Sequence, residues 1–254
     1  DMLKHETFNL GENSHIQGDS TSLTPYLKVL GDKKAKLVLA DPPYCLLTRR
    51  RKDGRLRDPK KAKIEHEAVK RFENIKLYRE FTKLWLNNSL QFLDDDGFLI
   101  VWTNFLGKKP IMEASLEKGL YYHGEYTWAK WTKGGSGNEK LARAYEVAMI
   151  FGRSPLHPLS EDDVCPPRFC INNYDEEQEG KDWGDHPNHK SYSVLEPLIR
   201  YYTRVGERVL DPFTGSGSTP AACLKLKRKI SGIELRPHWA KTTQDRMDKF
   251  FYNK

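Results

Sequence analysis

The chain has 254 residues and carries 42 Lys and Arg against 35 Asp and Glu, a formal net charge of +7. This length suits one large domain, since domains run to ~100–200 residues, and a composition that is 38% apolar and 11% aromatic excludes global disorder. The longest apolar runs, at residues 36–40 and 97–102, fall far short of the ~20 residues that span a bilayer.

The opening segment lacks the charged-then-apolar layout of a secretory leader. Four cysteines (Cys45, Cys165, Cys170 and Cys223) are too few and too scattered for a disulfide framework. These features predict a cytoplasmic protein with no metal centre and no membrane partner. The charge is unevenly placed. Residues 49–63 hold nine basic and two acidic side chains, whereas residues 160–185 hold nine acids against Arg168 and Lys181. A basic run of that density suggests a polyanionic partner, or else a solvated loop.

In chain order, residues 36–40 (Lys-Leu-Val-Leu-Ala) read as a buried strand that ends at Asp41-Pro42-Pro43, because two prolines cannot continue a ladder. Residues 64–92 carry apolar side chains at helical spacing; residues 94–97 (Asp-Asp-Asp-Gly) then break the pattern, and residues 98–102 are strand-like. A helix is predicted over 110–120. Strands are predicted over 121–131 and 144–151, joined as a hairpin with a long glycine-rich tip. Residues 152–190 contain five prolines and no clear period, and read as irregular. A helix over 192–204, a strand over 208–210, a helix over 218–227, a strand over 229–234 and a helix over 237–251 complete the chain. Strands alternating with helices predict a mostly parallel α/β sheet with ligands at the carboxyl ends of its strands.

Two short segments carry the chemistry. Asp211-Pro-Phe213-Thr-Gly215-Ser216-Gly217-Ser218-Thr219 lies between a predicted strand and a predicted helix. Glycines there let the backbone turn tightly and approach a ligand, and the amides of a helix start attract negative groups. Glu234 closes the next strand, close to the ~20-residue offset at which a carboxylate meets a ribose hydroxyl in nucleotide sites. No Gly-Lys-Ser/Thr follows, so a phosphate-binding P-loop is excluded, and a nucleoside without phosphates fits better. In Asp41-Pro42-Pro43-Tyr44 the prolines stiffen the backbone, so that the Asp41 carboxylate and the Pro42 carbonyl converge on one donor group while Tyr44 offers a flat face. That is a clamp for a planar amine. Trp128 and Trp131 read as packing residues, and no histidine reads as catalytic.

Asp-Pro-Pro-Tyr followed much later by Asp-Pro-Phe-x-Gly-x-Gly, with His186-Pro-Asn-His-Lys190 shortly before the second, resembles the β group of S-adenosylmethionine-dependent DNA amino-methyltransferases, in which the catalytic motif precedes the cofactor motif. The resemblance runs from Gly18-Asp19-Ser20 to Glu234, and Ser191 stands where the family commonly has proline. It implies a Rossmann-like methyltransferase fold in a single domain over 1–254, with a basic DNA-facing loop at 45–63 and an irregular target-recognition segment at about 132–185. It also implies S-adenosylmethionine as cofactor, and adenine N6 in a flipped-out base as the target.

The catalytic residues would be Asp41, Pro42, Pro43 and Tyr44. The cofactor would be held by Asp19 at its adenine end, Phe213 packing nearby, Glu234 on the ribose and Lys190 near the methionine carboxylate, with Ser191, Asp211, Gly215, Ser216, Gly217, Ser218 and Thr219 around it. Arg49, Arg50, Arg51, Lys52, Arg55 and Arg57 would meet DNA. Cytosine N4, an RNA amine, or an inactive DNA-binding role are the alternatives, and self-association into a homodimer is open.

Overall fold

In the computed structural model the described residues are 7–10, 12–45, 75–131, 145–158, 165–173 and 189–252. They form one nine-stranded sheet and six helices. The strands are β1 (Thr7–Leu10), β2 (Asn13–Gln17), β3 (Ala35–Ala40), β4 (Leu93–Thr103), β5 (Tyr121–Trp131), β6 (Tyr145–Gly152), β7 (Phe169–Asn173), β8 (Arg208–Asp211) and β9 (Lys229–Glu234). The helices are α1 (Thr24–Leu30), α2 (Ile75–Leu90), α3 (Phe105–Glu117), α4 (Tyr192–Tyr202), α5 (Ser218–Lys225) and α6 (Pro237–Tyr252).

The strand order is β1-β2-β9-β8-β3-β4-β6-β5-β7. From β2 to β4 all neighbours are parallel, and β6 runs against both β4 and β5. Both faces are covered, which is why the central strands read as unbroken apolar runs. Alternation along β3 divides the core: Val38 and Ala40 face the side packed by α1, α2 and α3, whereas Leu37 and Leu39 face the side packed by α4, α5 and α6. Among the described residues no helix is long and apolar enough to cross a membrane.

The predicted strand–helix alternation holds through the second half of the chain, and the structure differs from the sequence reading at four places. β4 does not start at residue 98. It begins at Leu93 and carries Asp94–Gly97 as an irregularity, because its pairing with β3 jumps from Ala35↔Leu93 to Leu37↔Phe98. Asp95 and Asp96 turn outward, and Lys36 holds Asp96 at 2.6 Å. α3 begins five residues before Pro110, which sits inside it, because Asn104 caps the helix by accepting from the Gly107 amide at 3.1 Å. Within the stretch read as irregular, Phe169–Asn173 is a strand parallel to β5, held by ladder bonds that no local pattern announces. Finally, β1, β2 and α1 were absent from the sequence reading, and β2 completes the sheet by pairing with β9. The hairpin of β5 and β6 is present, while its tip at 132–144 lies outside the described residues, as do residues 64–74 of the long predicted helix.

Candidate active site

β8 continues through α5 to β9 on one side of the sheet, and β3 continues to β4 on the other, while β3 and β8 lie side by side. The two chain paths diverge there. A crevice opens at the carboxyl ends of the strands where such a divergence occurs. The cleft at that point is concave and opens to solvent at its mouth. Residues from all the divergent strands line it: Asp19 and Ser20 after β2, Asp41 and Pro43 after β3, Trp102 of β4, Asp211 of β8 with Phe213, Gly215 and Ser218 after it, and Glu234 of β9.

The glycine loop is held from several directions. Glu234 accepts the Gly215 amide at 2.8 Å through one carboxylate oxygen and the Arg236 amide at 2.9 Å through the other. Asp211 accepts the Phe213 amide at 2.9 Å. Phe213 leans edge-on against Trp85 of α2, with ring centroids 5.3 Å apart. His15 of β2 shares a hydrogen bond of 2.9 Å with Thr214, and Ser20 donates to the Pro212 carbonyl. Gly217 has φ of +85°, and a Cβ there would lie 3.1 Å from the Thr243 backbone, so only glycine fits without strain. Burial pushes the carboxyls of both Asp211 and Glu234 above their usual range, and the neighbouring charges of Asp41 and Glu234 add to the rise at Asp211.

At the other end of the cleft Lys190, Asp41 and Tyr44 meet a residue that the sequence did not announce, Glu146. The segment before α4 packs on the start of α5, where Ser218 meets His189 at 3.0 Å. This feeds Lys190, only 2% exposed, into the site. Its ammonium donates to Asp41 Oδ2 and to Glu146 Oε2, each at 2.9 Å. It lies over the Trp102 ring at 4.8 Å and the Trp128 ring at 5.8 Å. Tyr44 donates its hydroxyl to the same Glu146 oxygen at 2.8 Å. Burial alone would lower the Lys190 pKa, but the charges and hydrogen bonds of Asp41 and Glu146 outweigh it and hold the ammonium above its ordinary value. Burial, then the Asp41 and Glu146 charges, push the Tyr44 phenol well above its ordinary value. Asn104 donates to the Cys45 carbonyl at 2.9 Å and so fastens the segment after Tyr44 to the start of α3.

The structure therefore brings Asp41, Pro43, Lys190, Asp211, Phe213, Gly215, Ser216, Ser218, Thr219, Glu234 and Asp19 to one cleft, with Tyr44 joined through Glu146. Asp19 folds back to accept from the Thr21 amide and hydroxyl at 2.9 and 2.7 Å. Ser191 stands at the N-cap position of α4 without a side-chain capping bond, and its hydroxyl meets Ser193 at 3.1 Å. The resemblance set Lys190 beside the cofactor's carboxylate, whereas here its ammonium is held by two carboxylates of the protein itself. Trp128 is fully buried packing, as the sequence indicated. Arg49, Arg50, Arg51, Lys52, Arg55 and Arg57 lie outside the described residues, as does most of the segment at 132–185.

Comparison with known proteins agrees with this architecture. Residues 35–245 match the family described as DNA methylase, of the N6 and N4 type. The type II methyltransferase M1.MboII of Moraxella bovis is 23% identical over 250 residues, covering 84% of this chain and 89% of that protein. M.HpaI of Haemophilus parainfluenzae is 25% identical over 247 residues, covering 89% and 72%. Among solved structures, the M1.HpyAVI–SAM complex superposes with a TM-score of 0.66 at 19% identity over 92% of this chain and 98% of that one. The cytosine-N4-specific PvuII DNA methyltransferase gives 0.61 at 17% identity over 96% and 94%.

Proposed function

We propose, from the premise that this chain belongs to the DNA methylase family of N6 and N4 amino-methyltransferases, that it transfers a methyl group from S-adenosylmethionine to the exocyclic N6 of an adenine flipped out of DNA. The observation that carries this reading is the meeting of Asp41 with the glycine loop and Glu234 in one cleft, although the two motifs lie far apart in the chain.

The cleft suits a cationic nucleoside on its own chemistry. Asp41, Asp211 and Glu234 line it together, and the cations among its described lining residues are Arg236 and Lys190, the latter already matched by two carboxylates. A sulfonium charge entering there relieves carboxyls that burial alone disfavours as anions. Glu234, fixed by two backbone amides at the end of β9, presents its remaining lone pairs to a ribose diol. The turn at Gly215 and Gly217 gives a backbone surface that a ligand can approach closely.

When bound, S-adenosylmethionine supplies the methyl group, so that the base nitrogen's lone pair closes an N–C bond while the C–S bond breaks and leaves its electrons on sulfur. An exocyclic amine is a poor nucleophile because its lone pair is delocalised into the ring. Asp41 and the Pro42 carbonyl accept its two N–H bonds and draw the nitrogen towards tetrahedral geometry, and Asp41 receives the proton the nitrogen sheds. Tyr44 stacks on the base, which must leave the duplex to reach the cleft. Holding the reacting atoms in line supplies most of the rate.

Asp at the first motif position favours adenine over cytosine in the family this chain resembles, and PvuII keeps cytosine N4 as the second reading. Incubating the protein with labelled cofactor and DNA, RNA or protein, then identifying the modified nucleoside by mass spectrometry, tests the assignment. N6-methyladenine in DNA is expected, and N4-methylcytosine alone would overturn the base preference. Replacing Arg49, Arg50, Arg51 and Lys52 by Ala should weaken DNA binding on every sequence and flatten its salt dependence by about 0.9 in log–log slope per lost phosphate contact, with cofactor affinity unchanged.

A further inference from the structure

Glu146 belongs to neither motif, yet one of its oxygens joins them. Its Oε2 accepts from Tyr44 at 2.8 Å and from Lys190 at 2.9 Å, and Lys190 in turn reaches Asp41 at 2.9 Å. Glu146 sits on β6, opposite Trp128 of β5, on a strand that starts outside the catalytic segment and is packed into the core from Val147 onward. The lysine is nearly fully buried over two indoles, so its charge requires close compensation.

One carboxylate would suffice for charge balance, and two are present. Were Asp41 the lysine's sole partner, the ammonium would neutralise it and leave a weak acceptor for an amine. Glu146 takes a share of that positive charge, so the three groups together keep one negative charge at the clamp. The same oxygen fixes the Tyr44 hydroxyl and with it the plane of the ring.

We infer that Glu146 is a positioning residue for the methyl transfer, acting through Tyr44 and through Lys190 on Asp41. This rests on the methyltransferase reading above. Asp41 keeps acceptor capacity because a carboxylate offers about four lone-pair sites and the lysine uses one. Glu146 acts on the rate of transfer and leaves the glycine loop, and therefore cofactor binding, alone.

The experiment is a double-mutant cycle between Glu146 and Tyr44, using kcat on DNA and cofactor affinity by calorimetry as separate readouts. Y44F keeps the ring and loses the tether, so it should lower kcat about 10-fold, the rate equivalent of one charge-assisted hydrogen bond. In an E146A background, where the tether is already gone, Y44F should change kcat less than ~2-fold. E146Q, which keeps an acceptor for Tyr44 but not the charge, should lose less than E146A. All variants should bind the cofactor within ~3-fold of the parent. Equal losses from Y44F in both backgrounds, or a fall in cofactor affinity that matches the fall in kcat, would overturn the inference.

A readout independent of methylation separates this from failure of the functional reading. In protein labelled with ¹³Cζ-tyrosine, the Tyr44 resonance at neutral pH should shift in E146Q and E146A relative to the parent, because its hydroxyl loses a charged acceptor. An unchanged Tyr44 resonance refutes the link between the two residues. A shifted resonance in a protein that never methylates DNA refutes the methyltransferase reading while the link stands.

Discussion

The two ends of the cleft are built on different principles. After β8, the ligand-facing surface is backbone: a turn of glycines held by Glu234, Asp211, His15 and Ser20 through hydrogen bonds to main-chain or neighbouring hydroxyl groups. After β3, the surface is side chain: Asp41, Lys190, Glu146 and Tyr44 in a single charged network over two tryptophans. A backbone cradle tolerates changes in side chains and is intolerant of an added Cβ. A charged network is the reverse, because each member is there to compensate another.

That contrast can be broken by substitution, and the largest effect should come from the network. K190M would leave Asp41 and Glu146 as neighbouring carboxylates with no cation between them, and should lower unfolding free energy by about 3–5 kcal/mol, read by urea denaturation. A loss under ~1 kcal/mol would show that water or relaxation already screens the site. D41A removes the acceptor itself and should reduce kcat about 10²–10³-fold, the range for deleting one preorganised electrostatic group, while calorimetry shows cofactor affinity retained.

On the backbone side, G217A forces a left-handed residue and a contact with Thr243. It should cost about 1–2 kcal/mol of stability and weaken cofactor binding, with kcat at saturating cofactor near that of the parent. A kcat defect as large as that of D41A would mean that the two ends are one unit.

The effect that is smallest near neutral pH, and grows as the solution is acidified, comes from a buried histidine. Burial lowers the His15 pKa from 6.5 to about 3, so the folded state holds this imidazole neutral where the unfolded chain would protonate it. Stability from this group is complete above pH 6.5 and is lost as pH falls from there towards 3. The loss approaches about 1.4 kcal/mol per pH unit, measurable as a urea midpoint that H15Q makes less sensitive to acid.

The backbone side was the legible one. Turn residues, a following helix and an acid at the end of the next strand are local signals, so Gly215, Gly217 and Glu234 could be read directly, and so could Asp41 from the two prolines beside it. Glu146 could not, for a single acid at the start of an apolar strand has the look of an exposed strand end. Its meaning comes from Lys190, brought in from another part of the chain by the packing of α4 on α5. The same holds for the fold. β8, β9 and β5 were legible from their own composition, whereas β2 and β7 exist because a neighbouring strand offers them a ladder. The acidic residues of β4 mislead because their charges, paired with Lys34 and Lys36, make part of a strand look like a turn.

The order of motifs along the chain also bears on how the protein is made. β3 has β8 as a direct neighbour, β2 pairs with β9, and Ser14 meets Ser231 across 217 positions of sequence. Contacts of such separation are slow to form, because the closure entropy of a long loop comes before any stabilisation. During synthesis the early strands, β2 and β3, wait with apolar edges unpaired until the last quarter of the chain emerges. A chain halted before Asp211 has its clamp residues and no cradle. A complete cleft therefore appears late and all at once, and the waiting strand edges leave the unfinished chain prone to association.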